Sequence, residues 1–254
     1  MILPVSDNPR LTSILERIED AAVLPRMWQV AVVNSQRAGV NDHGPTHVKI
    51  VAHNGLKILR LLGEAGVVPG VVAAQGLTFA DAEVVVVLAG LLHDVGMTVH
   101  RDSHESHSLF LVHQALPRLV EGIYSPVEAV TIVHETLHAM IGHNSMQRCL
   151  TVEAGVVKVA DALDMSKWRS RAIIKGGRVS IHSLSAAAID KVAISKGETR
   201  PVRVEVTMNN SAGIFQVDNL LKHKIRHSGI AEHFEVRIRV EGEAERQHVQ
   251  TFTL

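Results

Sequence analysis

The chain has 254 residues, 46% of them hydrophobic, and its 26 Lys+Arg are balanced by 26 Asp+Glu. That length fits one large or two small domains with ample material for a core, and the absence of net charge argues against a nucleic-acid or membrane partner. Aromatics are only 3%, with Tyr124 the sole tyrosine, so no base-stacking platform is expected; a lone Cys149 excludes an internal disulfide and fits a reducing, cytoplasmic setting.

The N-terminus turns polar by Ser6-Asp7-Asn8, so no signal peptide is expected. Apolar residues recur at three- and four-residue spacing over residues 10–20 and 23–36, which predicts two helices. Residues 39–44 read as a loop. Pro45-Thr46 then opens a long helix with His47, Ile50, Val51, Leu56, Leu59 and Leu62 facing inward, closing near Gly66. Asp81 suits the cap of the next helix, which runs through a block of valines to Asp94. Its most apolar stretch, residues 84–92, is too short to span a bilayer. Further helices are predicted over residues 103–119, from Ser125-Pro126 to about residue 141, and over residues 151–166 with Thr151 as cap.

The texture changes after Gly176-Gly177. Residues 178–182 alternate as a strand, 183–190 suggest a short helix, and 191–195 and 202–208 read as strands. An amphipathic helix over 211–226 and a strand over 234–240 follow, with one more strand expected within 249–254. The order βαββαβ suits a small ferredoxin-like layer. The expected fold is therefore mainly α, a helical bundle over residues 1–175 followed by a small α+β domain over 176–254. Backbone amides at the Asn209-Asn210-Ser211-Ala212-Gly213 helix start could bind an anion, although a plain N-cap explains the same text. An exposed edge of so small a sheet tends to pair with another copy, so homodimerisation or ligand sensing through this domain is expected.

Eleven of the sixteen histidines lie between His43 and His143, spread over several predicted helices. Ala-Gly-Leu-Leu-His93-Asp94-Val-Gly ends the valine-rich helix in a His–Asp pair. His47, His104 and His134 sit on other helices, and Asp161 lies in the apolar context Val-Lys-Val-Ala-Asp-Ala-Leu-Asp. A carboxylate there is costly unless ion-paired or bound to a metal. Imidazole and carboxylate together suit one or two divalent ions (Mn, Fe, Co, Ni or Zn), and the two oxygens of one Asp can bridge a pair.

The order Asp-His-Gly-Pro-Thr-His47, Leu-Leu-His93-Asp94-Val-Gly, His104-Glu-Ser-His, Thr-Ile-Val-His134 and Lys-Val-Ala-Asp161 resembles the HD-domain superfamily of metal-dependent phosphohydrolases, over about residues 40–170. The resemblance implies an HD-type helical bundle and a first metal on His47, His93, Asp94 and Asp161. Asp94 would bridge to a second metal on His104 and His134. It implies cleavage of a phosphate ester of a nucleotide or related small phosphorylated molecule by an activated water. In that reading Asp94 is central to catalysis, and Glu135 or His138 is the candidate acid for the leaving group. Many members carry a Lys where this chain has Met97. Arg101, Lys167, Arg169 or Arg171 could take its place in binding substrate, and the same departure supports a second reading, a non-catalytic metal- and nucleotide-binding regulatory module. The C-terminal part looks like the extension of an uncharacterised HD subgroup.

Residues 134–138 also spell His-Glu-Thr-Leu-His, the HExxH signature of zinc metalloproteases. The extended protease pattern places Gly seven and His ten residues after the first His, whereas Gly142 and His143 stand at eight and nine. A protease would leave His47, His93-Asp94 and Asp161 without a role. Di-iron oxygenase chemistry, known among HD-fold relatives, is a further alternative that no residue here specifically requires.

Overall fold

The computed structural model describes residues 3–169, 181–241 and 252–253. Among the described residues nine α-helices build the N-terminal part, in the order α1 Pro9–Asp20, α2 Val23–Ala38, α3 Pro45–Glu64, α4 Gly70–Gln75, α5 Phe79–Leu92, α6 His104–Val112, α7 Ala115–Val120, α8 Pro126–Gly142 and α9 Val152–Ala162. At the centre lies α5, buried continuously from Asp81 to Leu92 and packed by α3, α8 and α9. Its valines and leucines have no polar face because every side of the helix meets another helix. The polar exceptions are paired: Asp81 accepts from Arg10 and Tyr124, and Glu83 from Arg60 and Asn8.

Side-chain caps fix where the helices begin. Asn8 caps α1, Thr151 caps α9, and Ser125 with Glu128 forms a capping box on α8. At α5 the cap is Thr78, one residue ahead of the helix, and Asp81 is the third residue of its capping box rather than the cap itself. The stretch read as one helix over 103–119 breaks at His113-Gln114 into α6 and α7, which lets α7 turn to pack on both α1 and α8.

The C-terminal part is a small α+β layer. Helix α10 (Ile181–Ala187) leads into β1 (Ile189–Lys196), which pairs antiparallel with β2 (Val202–Met208). A helical run over residues 214–226, here α11, consists of Ile214–Gln216, a π-helical turn Val217–Leu221 and Lys222–Arg226. It crosses over to β3 (Phe234–Val240), parallel to β2, and β4 (Phe252–Thr253) closes the sheet antiparallel to β3. The alternation expected as a strand over 178–182 falls partly outside the described residues, and Ile181 and His182 begin α10 instead. The sheet order differs in detail from a ferredoxin-like one: β2 and β3 are direct neighbours, Val204 beside Val236, with no strand between them. Val202, Val204, Val206, Met208, Val236 and Ile238 join one continuous core with the bundle, and the sheet packs on α3. The expected domain boundary near residue 175 lies outside the described residues. Among the described residues no helix is long and apolar enough to cross a membrane.

Candidate metal centre

Five helix ends converge on one buried point. His47 lies in the first turn of α3, His93 and Asp94 follow the last turn of α5, His104 opens α6, His143 follows α8, and Asp161 lies in the last turn of α9. The carboxylate of Asp94 is the hub. Its Oδ2 is 3.1 Å from His47 Nε2 and 3.2 Å from His93 Nε2. Its Oδ1 is 3.2 Å from His104 Nε2 and 3.7 Å from His143 Nε2. Asp161 Oδ1 adds a second oxygen to the first group, 3.3 Å from His47 Nε2 and 3.8 Å from His93 Nε2. The groups His47–His93–Asp94 and Asp94–His104–His143 each bring three ligand atoms within 4.8 Å of one another.

The rings are held from behind. His93 Nδ1 donates to Gly90 O at 2.9 Å, and His143 Nδ1 donates to Met140 O. Both carbonyls lie three residues upstream in a last helical turn, where carbonyls lose their regular helical partner; Met140 O also accepts the His143 N–H at 3.3 Å. The same bond therefore satisfies the helix end and turns Nε2 toward Asp94. His47 Nδ1 is fixed by Asp164 Oδ2 at 2.7 Å, and Asp164 Oδ1 in turn accepts from Trp168 Nε1 at 3.0 Å. Such partners behind a ligating ring set its tautomer and basicity.

Close backbone approach does the rest. A Cβ on Gly90 would lie 2.9 Å from Ala52 Cα, so this glycine lets α3 and α5 cross closely enough to bring the His47 and His93 rings to 5.3 Å. A Cβ on Gly96, two residues after the His–Asp pair, would overlap His104 O and lie 2.6 Å from Ser108 N. Ser108 Oγ accepts the Gly96 N–H at 2.8 Å and sits 2.5 Å from His93 O and 2.8 Å from His104 O, stapling the turn that carries Asp94 to the helix that carries His104.

The donor set fits divalent metal. His47 Nε2, His93 Nε2 and Asp94 Oδ2 are buried without a hydrogen-bond partner, an expensive condition for three polar atoms. Two ligands about 2.1 Å from one ion stand roughly 3.0–3.4 Å apart, the spacing found around Asp94 Oδ2. Without the ion, electrostatics compensate partly. Burial disfavours the charged forms of His47 and His93, but the carboxylates around them outweigh it and raise their pKa values to about 10 and about 9. Burial likewise opposes the charge on Asp94, yet His93 and His43 hold its carboxyl well below the ordinary range. His143 shifts the other way, kept neutral by burial and by the positive His93.

The centre opens into a cavity of about 450 Å³ lined by His43, Arg101, Glu105, Arg169, Gln216 and Lys224 among others. Of the ligands read from sequence, His47, His93, Asp94, His104 and Asp161 meet here. His134 does not: its ring is exposed and bonds Val130 O at 2.8 Å. It stands nine residues before His143, two and a half helical turns away, and so points from the opposite side of α8. His143 stands beside Asp94 and His104 in the place expected of His134. Glu135 and His138, expected as acids, line a separate surface depression with His134, and His138 Nε2 accepts the Leu150 N–H at 3.2 Å. The HExxH residues thus belong to no cluster of three or more metal-ligand side chains among the described residues.

Of the expected substrate cations, Arg101 lines the cavity, with Nη1 2.9 Å from His104 Nδ1. Lys167 instead pairs with Asp190 on β1 at 2.7 Å, and Arg171 lies outside the described residues. Met97 is fully buried in the core and presents nothing to the cavity. The sequence reading missed Asp164, Ser108 and Lys224. Asp164 was visible as a second Asp three residues after Asp161, one turn on. Ser108 and Lys224 carry no local signal at all.

Comparison with known proteins agrees with this geometry. The HD domain family matches residues 46–166, a span that ends at the loop after α9 and holds His47, His93, Asp94, His104, His143 and Asp161. The chain is 42% identical over 207 residues to Uncharacterized protein MJ1020 of Methanocaldococcus jannaschii, covering 82% of this chain and 80% of the relative. No solved structure matches the chain significantly. With the His–Asp hub where the family match falls and a close relative sharing most of its length, the chain belongs to the HD-domain superfamily, most of whose members are metal-dependent hydrolases.

Proposed function

We propose that the protein is a divalent-metal phosphohydrolase that cleaves a phosphate ester of a nucleotide or a related small molecule. The observation that carries this reading is Asp94, each of whose two oxygens faces a different pair of histidine Nε2 atoms. His47, His93, Asp94 and Asp161 would hold one ion, and Asp94, His104 and His143 a second. Bound divalent ions in such a site lower the pKa of a water and polarise a phosphoryl oxygen. The protein's part is to aim its ligand nitrogens, keep the centre buried beneath the cavity, and receive the substrate above it. Glu135 and His138 have no place in this chemistry, because they open on a different surface.

The test is metal content and ester hydrolysis, measured in parallel on wild type and D94A purified without a His tag. Wild type should retain one or two transition-metal ions and hydrolyse at least one member of a phosphate-ester panel, and D94A should lose both. A folded, metal-loaded wild type that hydrolyses none of the panel refutes the reading; tight nucleotide binding without turnover would then favour the regulatory module.

A further inference from the structure

One cation in the cavity comes from outside the helical bundle. Lys224, on the last segment of α11, is 7% exposed, and its ammonium pairs with Asp161 Oδ2. Asp161 thus divides its carboxylate, Oδ1 toward His47 and His93 and Oδ2 toward Lys224. An ammonium has three donors. Among the described residues Asp161 is the partner found for this one, so the remaining donors lie at the edge of a cavity with no acceptor assigned to them. A buried ammonium satisfied by a single carboxylate is costly, and a ligand oxygen in the cavity would complete it.

The other cations are committed or peripheral. The Arg169 guanidinium donates to Asp42 O from Nε and Nη2, at 3.2 and 2.7 Å, and to Asp164 O from Nη1 at 3.0 Å, tying the loop before α3 to the segment after α9. Arg101 is largely exposed at the rim. The backbone of α11 favours Lys224 further. Gln216, Leu220 and Lys224 all line the cavity, yet in a regular α-helix residues four apart drift by about 40° at each step. The π-helical turn Val217–Leu221 takes up that drift and keeps the three on one face; such turns recur at functional sites.

We infer that Lys224 binds the substrate's phosphoryl oxygens, so that the C-terminal layer supplies one wall of the site rather than an appendage to it. The inference deepens the phosphohydrolase reading and rests on it for the nature of the anion. As Asp161 turns its charge to a bound metal, its hold on Lys224 weakens, and the ammonium is left facing the cavity with its donors available.

The test uses the full-length, metal-loaded chain, with inorganic phosphate as probe in calorimetry and metal content measured on each variant. K224M should keep the metal stoichiometry of wild type and bind phosphate about tenfold or more weakly, the expected effect of losing one charge-assisted hydrogen bond, and K224R should recover part of the loss. K224Q, which keeps a polar head able to stay bonded to Asp161 but loses the charge, should also weaken phosphate binding, and it decides the matter alone if K224M does not fold. Unchanged phosphate affinity in these variants overturns the inference, as does a metal-loaded wild type that binds no phosphate. Loss of metal from K224M also overturns it, since Lys224 would then be a positioning residue acting through Asp161. A wild type that binds phosphate through Lys224 but hydrolyses no ester sinks the phosphohydrolase reading and leaves this one standing.

Discussion

Asp164 Oδ2 accepts a hydrogen bond from His47 Nδ1 at 2.7 Å, with both side chains buried, and this bond decides which nitrogen of His47 faces Asp94. Of the ligand residues the Asp164 carboxylate pairs with His47 alone, its other side-chain partners being Trp168 and Arg169. Loss of its charge should therefore reach the metal chiefly through the orientation and basicity of one ring. D164N, which keeps the shape but loses the charge, is expected to lower metal affinity by about 10- to 100-fold, the usual consequence of losing such a partner. Competition titration with a chromophoric chelator would measure it. Equal affinity in D164N and wild type would show that the bond is incidental.

His143 and His134 make opposite predictions from one helix. H143A removes a ring 3.7 Å from Asp94 Oδ1 and should cost the second ion while the His47–His93 group keeps the first. H134A removes an exposed ring and should leave stoichiometry, activity and stability unchanged within about 0.5 kcal/mol, as surface substitutions do. Elemental analysis of the two variants side by side separates them. The reverse result would return the HExxH segment to the centre.

That exchange of roles marks where the sequence stops being informative. His47, His93, Asp94, His104 and Asp161 were legible through the resemblance to the HD-domain pattern, helped by the His–Asp pair that closes the valine block and by an acid set in an apolar helix. His134 lies within α8 and His143 just after it, and which one turns inward depends on how α8 rolls against α5 and α9, a matter of tertiary packing. The helices themselves were legible from their apolar spacing and their Ser125 and Thr151 starts. The sheet order was not, since a β-strand's alternation fixes its faces but not its neighbours. Lys224 was hidden for a further reason: it is recruited from 63 residues beyond Asp161, across the join between two parts of the chain that looked separable.

Gly96 should be intolerant of any side chain. Its missing Cβ is where His104 O and Ser108 N approach, and backbone atoms held in a helix cannot move aside cheaply. G96A is expected to destabilise the fold by about 1–3 kcal/mol, with the turn carrying Asp94 pushed away from α6. Its metal loss should be selective, the ion on His104 and His143 leaving before the one on His47 and His93. Thermal melts with metal analysis would test both parts. A stable G96A protein with full metal content would show that the turn and α6 can separate at no cost to the site.

The charges on His47 and His93 make metal binding a proton-releasing event. Both pKa values are raised in the metal-free fold, to about 10 and about 9, because carboxylates surround the rings. At pH 7 both rings are therefore protonated, and an ion must displace a proton from each. Apparent affinity should climb steeply with pH, by up to about a hundredfold per unit below pH 9, and level off above pH 10, since each displaced proton contributes a factor of ten. Calorimetry in buffers of different ionisation enthalpy should count close to two protons released at pH 7. The same shifts bear on stability with a definite sign. The folded-state values exceed the unfolded value of about 6.5, so the stabilisation these rings give the metal-free protein is complete below that pH and is lost as pH rises through 9 and 10. Metal-stripped protein should accordingly melt at falling temperature from pH 7 to 10 while the metal-loaded protein holds its own. Melting curves of the stripped protein that do not change over that range would mean that the carboxylates do not hold these protons.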